Sequence, residues 1–179
     1  MPRSRPLLRA AEIHERVIAM GRAIADHHAH HYSGEPLVML VLMDGAFCFA
    51  ADLARAIPVD GIELVFRRAS SYRGGTVSTG AVELDPLPDL NQRQVLVIDD
   101  ILDTGRTLAA AVAAAERAGA ATVTTCVLLD KPSRRVAEGL PRATYVGFTI
   151  PDLFVVGYGL DHAGRWRGLP DICVIPESG

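Results

Sequence analysis

Val95-Leu96-Val97-Ile98-Asp99-Asp100-Ile101-Leu102-Asp103-Thr104-Gly105-Arg106-Thr107 is the stretch that decides the fold. Aliphatic residues run straight into two adjacent carboxylates, a third carboxylate follows, and a short Thr/Gly loop opens an Ala-rich segment. An unbroken apolar run of this length reads as a strand buried on both faces, the kind found in parallel sheets. Open α/β sheets place their ligands at the carboxyl ends of such strands. The Thr104-Gly105-Arg106-Thr107 turn offers backbone N–H groups, two hydroxyls and the positive end of a helix dipole, which suits a phosphate. Carboxylates repel phosphate, so Asp99, Asp100 and Asp103 suit sugar hydroxyls, a metal or a proton instead.

Outward from that stretch, Ile13, Val17, Met20 and Ile24 recur at helical spacing and predict a helix over 10–30, closed by Ser33-Gly34. Leu37 to Met43 reads as a buried strand. Asp44-Gly45 turns it into a helix reaching Ala56, with Pro58 behind it. Further strands are expected over 61–68, 82–84, 95–98, 122–129, 144–149, 155–158 and 172–175. A second sheet-covering helix is expected over 104–118, stopped by Gly119. Residues 70–80, rich in Ser, Gly and Thr, read as a flexible loop, and 85–92 as a connection. Strands alternating with helices predict an α/β fold: a parallel sheet core flanked by helices through right-handed crossovers. The last third holds strands without long helices. It is expected to form a small antiparallel hood, built from about 1–20 and 150–179, on a single domain spanning 1–179.

The bulk composition bounds the function. The 179 residues are 49% hydrophobic and only 6% aromatic, which fits helices packed on a sheet. Lys and Arg number 18 against 21 Asp and Glu, a net charge of −3, which argues against a general nucleic-acid or membrane surface. Cys48, Cys126 and Cys173 are widely spaced in apolar segments and show neither metal spacing nor a disulfide framework. They predict free thiols in a reducing compartment, so a cytoplasmic, soluble protein. The longest apolar run, Leu37 to Met43, is far short of a membrane span.

Several constellations carry chemistry. Two carboxylates facing one cleft, Asp99 and Asp100, need hydroxyl donors, a cation or water to stay ionised. Beside a phosphate-type loop they read as ribose or metal–ribose binders. Asp103 is placed to cap the helix or to act as a general base. Ser71-Tyr72-Arg73-Gly74-Gly75-Thr76 reads as a surface loop or as a lid that closes over a reacting centre. Lys131, in Leu129-Asp130-Lys131-Pro132, puts an ammonium at a strand end. Standing alone, such a lysine reads as a solvated surface cation. Phe154, within Ile150-Pro151-Asp152-Leu153-Phe154-Val155-Val156-Gly157-Tyr158-Gly159-Leu160-Asp161, reads as a core ring or, beside its Pro-Asp turn, as one that stacks on a planar base. Arg165 and Arg167 suit phosphate or pyrophosphate. His27, His28, His30 and His31 read as a solvated helix end.

Taken together, these motifs resemble the hypoxanthine-guanine phosphoribosyltransferases of the type I phosphoribosyltransferase family. The resemblance runs from about Val38 to Ile175 through Asp44-Gly45-Ala46-Phe47, Ser71-Tyr72, the 97–105 acidic strand, Leu128-Leu129-Asp130-Lys131-Pro132 and the 150–161 segment. It implies that the chain transfers 5-phosphoribosyl from phosphoribosyl pyrophosphate to a 6-oxopurine, hypoxanthine and guanine, with Mg2+ as cofactor. By motif, Asp99 and Asp100 would bind the ribose hydroxyls directly or through Mg2+. Asp103, Thr104, Gly105, Arg106 and Thr107 would hold the 5-phosphate, with Asp103 also the base at purine N7. Lys131 would meet O6, Phe154 would stack, and the Val155 backbone would read the base edge. Asp161 would border the base and ligate a further Mg2+, Arg167 and the Asp44-Gly45 loop would meet pyrophosphate, and Ser71-Tyr72 would sit on the closing loop. The family pattern also makes the Met43-Asp44 bond cis, and implies a homodimer or homotetramer.

Two positions depart from the pattern. The family usually carries Lys where this chain has Asp44, which exchanges a cation for an anion beside a highly charged leaving group. The first acidic position is commonly Glu and here is Asp99, one methylene shorter. Asp44 also motivates a rival reading: a non-catalytic regulator on the same fold that senses phosphoribosyl pyrophosphate and binds nucleic acid.

Overall fold

A computed structural model describes residues 5–31, 36–71 and 82–175. In chain order its elements are β1 (Pro6–Leu8), α1 (Ala10–His31), β2 (Leu37–Met43), α2 (Phe47–Ala56), β3 (Ile62–Ser71), β4 (Val82–Leu84) and β5 (Gln94–Leu102). Then follow α3 (Arg106–Arg117), β6 (Thr122–Asp130), a short 3-10 turn (Pro132–Arg134), β7 (Tyr145–Thr149), β8 (Val155–Val156) and β9 (Ile172–Val174).

The main sheet has the order β4-β3-β2-β5-β6-β7. All its neighbours run parallel except β4, which pairs antiparallel with β3. The unbroken aliphatic runs are explained by burial on both faces. In β5, Leu96 and Ile98 join Met39 and Val41 of β2 under α1 and α2, while Val95 and Val97 join Val38 and Leu40 under α3. The α1 stripe Ile13, Val17, Met20 and Ile24 is buried against the first face, and Leu108, Ala111 and Ala115 of α3 against the second. Each face therefore hides an amphipathic helix that has nowhere else to put its apolar side.

The order also creates a reversal. From β2 the chain crosses outward to β3, then returns to place β5 on the other side of β2. A crevice opens at the carboxyl ends of β2 and β5, the point where doubly wound sheets bind ligands. Those ends carry Asp44-Gly45 and Asp99-Asp100.

Several expected boundaries shift. The β5 strand continues four residues past Ile98, because β6 is long enough to keep pairing with it through Asp99↔Val127, Ile101↔Leu129 and Leu102↔Asp130. Its carboxylates thus ride on a sheet strand rather than on a loop. Ser70 and Ser71, expected in the flexible loop, belong to β3, held by Ser70↔Glu83 and Ser71↔Val82; the rest of that loop, with Tyr72, lies outside the described residues, as does Ser33-Gly34. The strand expected over 155–158 stops at Val156, since Gly157 bridges back to Leu160 and Tyr158 takes a positive φ of 51°. Helix α3 begins at Arg106, two residues later than expected, because Gly105 is left-handed with φ 83°.

A second, antiparallel sheet of order β1-β9-β8 forms the hood. Among the described residues of the amino-terminal stretch expected there, only Pro6–Leu8 joins it. The α1 helix packs instead on the main core, because its apolar stripe is wide enough to cover the sheet. The histidine patch is also corrected. His28 is buried, 7% exposed, and its Nδ1 lies 3.1 Å from Gln94 Oε1, so that end of α1 is anchored to β5 rather than merely solvated.

One side chain ties the strand ends together. Arg135 Nη1 donates to the carbonyls of Leu102 at 2.7 Å and Lys131 at 3.2 Å, and also to that of Asp103. Its Nη2 pairs with Asp130, and both side chains are nearly buried. Removing one partner of a buried pair leaves the other charge uncompensated. Arg135→Ala is therefore expected to cost ~3 kcal/mol of unfolding free energy, to be read from the shift of a urea unfolding midpoint. A shift within the range of a surface mutation would refute that role.

Candidate active site

The carboxyl end of the main sheet and the start of the hood enclose a cleft of about 440 Å³. Its walls include Asp100 and Asp103 from β5 and its loop, Lys131 and Arg134 from beyond β6, and Phe154, Val155 and Asp161 from the hood. The sheet supplies the first group by ending parallel strands side by side; the hood supplies the second by folding back over them. A larger groove of about 670 Å³ lies between β4 and α3, lined chiefly by alanines and leucines rather than by the motif residues.

At the floor, Asp99 and Asp100 sit at the β2/β5 crevice. Asp99 Oδ1 accepts from the Asp100 N–H at 3.0 Å, and Asp100 Oδ1 from the Ile101 N–H at 2.9 Å. Burial, then the Asp100 charge, pushes the Asp99 carboxyl well above the ordinary carboxylate range; burial also raises Asp100, opposed by hydrogen bonds and by Arg167. The Asp44-Gly45 turn presses directly on this pair. A Cβ at position 45 would lie 1.8 Å from Asp100 Oδ2, so any side chain there would force the Asp100 carboxylate to move. The Met43-Asp44 peptide is cis, as the family pattern implied.

The loop after β5 is shaped by Gly105, whose carbonyl accepts from the Leu140 N–H at 3.0 Å. A Cβ there would stand 2.4 Å from the Leu140 carbonyl oxygen. No side chain caps the α3 start; the Arg106 N–H makes only a 3.4 Å contact with Thr104 Oγ1. The backbone donors of Gly105, Arg106 and Thr107 thus stand at a helix amino end without a side-chain cap, a setting that favours an anion. Arg106 Nη2 pairs with Glu138 at 3.3 Å on the surface.

Lys131 is only 8% exposed, and its Nζ lies 3.8 Å from Asp152 Oδ1. Phe154, by contrast, is 50% exposed, an unusual state for a large apolar ring and one that leaves a face open for stacking. His162 meets it edge-on at 5.2 Å. Val155 is buried and paired with Val174 of β9. Asp161 is occupied on both oxygens: Gly164 N–H donates at 2.7 Å, and Arg167 Nη2 lies at 2.9 Å. Arg167 Nη1 donates to the Gly159 carbonyl at 2.7 Å, which fixes it at the crevice.

Of the residues expected in the site, the cleft gathers Asp100, Asp103, Lys131, Phe154, Val155 and Asp161. Arg167 and Asp44 adjoin it through Asp161, and Asp99 through its neighbour. Ser71 ends β3 and Tyr72 lies outside the described residues. Arg134 and Asp152 were missed as site residues. Arg134 Nε donates to Asp103 Oδ1 at 3.1 Å, and its Nη1 stands 3.7 Å from Asp152 Oδ2. The only signal was their closeness in sequence to Lys131 and Phe154.

Among the described residues no group of three or more His, Cys, Asp or Glu could hold a metal by itself. Mg2+ is commonly held by one or two carboxylates with substrate phosphates and water completing its shell. The crowded Asp99-Asp100 pair fits an ion of that kind, arriving with a phosphorylated ligand.

Residues 9–163 match the phosphoribosyl transferase domain family. The hypoxanthine phosphoribosyltransferase of Escherichia coli K12 is 40% identical over 164 residues, 90% of this chain and 89% of that protein. The hypoxanthine-guanine phosphoribosyltransferase of Streptococcus pneumoniae R6 is 37% identical over 167 residues, 92% and 91% of the two chains. Among solved structures, a Staphylococcus aureus hypoxanthine phosphoribosyltransferase superposes with TM-score 0.86 at 35% identity, covering 98% of this chain and 94% of that one. A Trypanosoma cruzi hypoxanthine phosphoribosyltransferase in complex with the product IMP gives 0.87 at 33%, covering 98% and 95%. The chain belongs to the phosphoribosyl transferase family, within its hypoxanthine phosphoribosyltransferase branch.

The Asp99-Asp100 pair makes a pH-dependent contribution to stability. Both carboxyls titrate higher in the folded chain than when unfolded. Their share of stability is therefore complete below the unfolded value, about 3.9, and is lost as pH rises through the folded ones. In metal-free buffer Asp99→Asn is expected to raise the Tm at pH 7.5, with the gain shrinking as pH is lowered toward 5. Thermal unfolding at both pH values checks it; a gain independent of pH would show that the buried charge, with its repulsion from Asp100, is not the cause.

Proposed function

We propose that this chain transfers the 5-phosphoribosyl group of phosphoribosyl pyrophosphate to N9 of a 6-oxopurine, hypoxanthine and guanine, releasing pyrophosphate in purine salvage. The observation that carries the reading is a single cleft joining Asp100 and Asp103 to Lys131, Phe154 and Asp161. Acid groups for a sugar thus face an ammonium and an open ring suited to a flat base.

In this reading the purine N9 lone pair attacks C1 of the ribose while the bond to pyrophosphate breaks. Positive charge builds on the sugar ring and negative charge on the leaving oxygens. Asp99 and Asp100 hold the ribose hydroxyls, and their acidity suits a developing ring cation. Residues 103–107 hold the 5-phosphate at the start of α3. Asp103 takes the N7 proton as the new bond forms, which keeps charge from accumulating on the base. Lys131 donates to O6, and Phe154 stacks on the ring while the Val155 backbone reads its edge. Arg167 faces the leaving pyrophosphate as a preorganised cation. Asp99, Asp100 and Asp161 would hold Mg2+, which would supply positive charge to neutralise the leaving oxygens.

The assembly is taken as a homodimer or homotetramer, for which Leu64 and Phe66, 44% and 43% exposed on β3, offer apolar surface. Free thiols at Cys48, Cys126 and Cys173 support a cytoplasmic setting. No helix among the described residues is long and apolar enough to cross a membrane. The nucleic-acid-binding regulator gains no support: the relatives named above are transferases, and Asp44 is compensated by neighbouring arginines.

Product formation from hypoxanthine and phosphoribosyl pyrophosphate with Mg2+, followed by absorbance, tests the reaction. Adenine should be used at least ~10⁴-fold less efficiently, because its amino group meets the donor-only Lys131. Failure to turn over hypoxanthine, guanine or xanthine would remove the assignment. Asp103→Asn is expected to lower kcat ~10²-fold or more while changing the KM for phosphoribosyl pyrophosphate little. An unchanged kcat would exclude a base role.

A further inference from the structure

Asp44 puts an anion where the leaving group of the proposed reaction is expected. Its surroundings offset that charge. Arg68 Nη2 lies 3.2 Å from Asp44 Oδ1, and Arg167 Nη2 lies 4.0 Å from Asp44 Oδ2 and 2.9 Å from Asp161 Oδ1. The four side chains form a row of alternating charge, Arg68–Asp44–Arg167–Asp161, along the rim of the β2/β5 crevice. Arg68 is brought there by register, since Met43 pairs with Arg68 across parallel strands β2 and β3.

Strand alternation makes Arg68, and not its neighbour, the available cation. Arg67 spends its guanidinium on backbone carbonyls, donating to Pro86 at 2.6 Å and to Phe66 at 2.7 Å. Arg68 has its backbone fixed by Asp85, which accepts from its N–H at 3.1 Å, yet its side chain is 73% exposed. It touches one carboxylate and retains donors to spare. Arg167 is already shared between Asp44, Asp161 and the Gly159 carbonyl. A pyrophosphate entering beside Asp44, Asp100 and Asp161 would otherwise meet three carboxylates with one committed guanidinium.

We propose that Arg68 is a pyrophosphate-binding residue, and that Asp44 is a positioning residue that aims Arg68 and Arg167 at the leaving group. This rests on the phosphoribosyl-transfer reading and names a residue that supplies the second cation. A guanidinium suits the task because it presents several donors in a plane and stays charged at all relevant pH values. The carboxylate of Asp44 repels pyrophosphate directly but holds both arginines in place. Which effect dominates depends on whether Arg68 is present.

The test combines calorimetric titration with pyrophosphate in the presence of Mg2+ and steady-state kinetics, on the full chain and on Arg68→Gln, Arg68→Lys, Asp44→Asn and the Asp44→Asn/Arg68→Gln double variant. Arg68→Gln is expected to weaken pyrophosphate about tenfold, the loss of one charge-assisted contact, and to raise the KM for phosphoribosyl pyrophosphate similarly. The KM for hypoxanthine should stay within about twofold, and Arg68→Lys should recover part of the loss. Asp44→Asn should tighten pyrophosphate more in the Arg68→Gln background than in the natural one, because the positioning of Arg68 is no longer there to lose. Pyrophosphate affinity unchanged in Arg68→Gln would overturn the binding role; equal effects of Asp44→Asn in both backgrounds would overturn the positioning role. If the natural chain binds pyrophosphate through Arg68 yet turns over no purine, the transfer reading falls and the anion site stands.

Discussion

The Gly45–Asp100 contact is the constraint on which the site depends. The sheet reverses its winding between β2 and β5, so the two strands end side by side. The turn after β2 must then pass within touching distance of the acidic end of β5. A side chain at position 45 would overlap Asp100. Gly159 of the hood closes on the same spot, since a Cβ there would stand 2.3 Å from the Gly45 carbonyl oxygen. Core strand, crevice turn and hood therefore meet at a single point with no room to spare. The close packing transmits the position of each to the others.

Electrostatics follow from that crowding. Asp44, Asp99, Asp100 and Asp161 converge at one end of the cleft, and Asp103 and Asp152 at the other. Arg68 and Arg167 answer the first group, Lys131 and Arg134 the second. Burial, then the Asp100 charge, leaves Asp99 with a carboxyl well above its ordinary range, which hydroxyl donors or a cation would relieve. A sugar phosphate that brings both would relieve the repulsion it meets. The Phe154 side of the cleft is different in kind: one exposed ring and one nearly buried ammonium.

Much of this was legible beforehand, for specific reasons. The strands Leu37–Met43 and Thr122–Asp130 were readable because burial on both faces demands unbroken aliphatic runs. The α1 stripe was readable because one buried face imposes a 3.6-residue period. The residues Asp99 to Thr107, Lys131, Phe154 and Asp161 stood out because their chemistry is contiguous in sequence. Boundaries were less visible. The extension of β5 through Leu102 depends on how far β6 runs beside it, and β3 reaches Ser71 only because β4 returns to pair with it.

Local sequence thus determined the element types, the two-faced sheet and the short motifs that carry charge, because these follow from periodicity and from neighbours in the chain. Tertiary structure alone decided which charges answer which. Arg68 reaches Asp44 across a strand pair, Arg134 reaches Asp103 across 31 positions, and His28 reaches Gln94 across 66. Such pairings leave no local pattern, since an arginine destined for an ion pair and one destined for solvent look alike along the chain. Only the register of β2 against β3, and the winding that sets β5 beside them, fixed the partners.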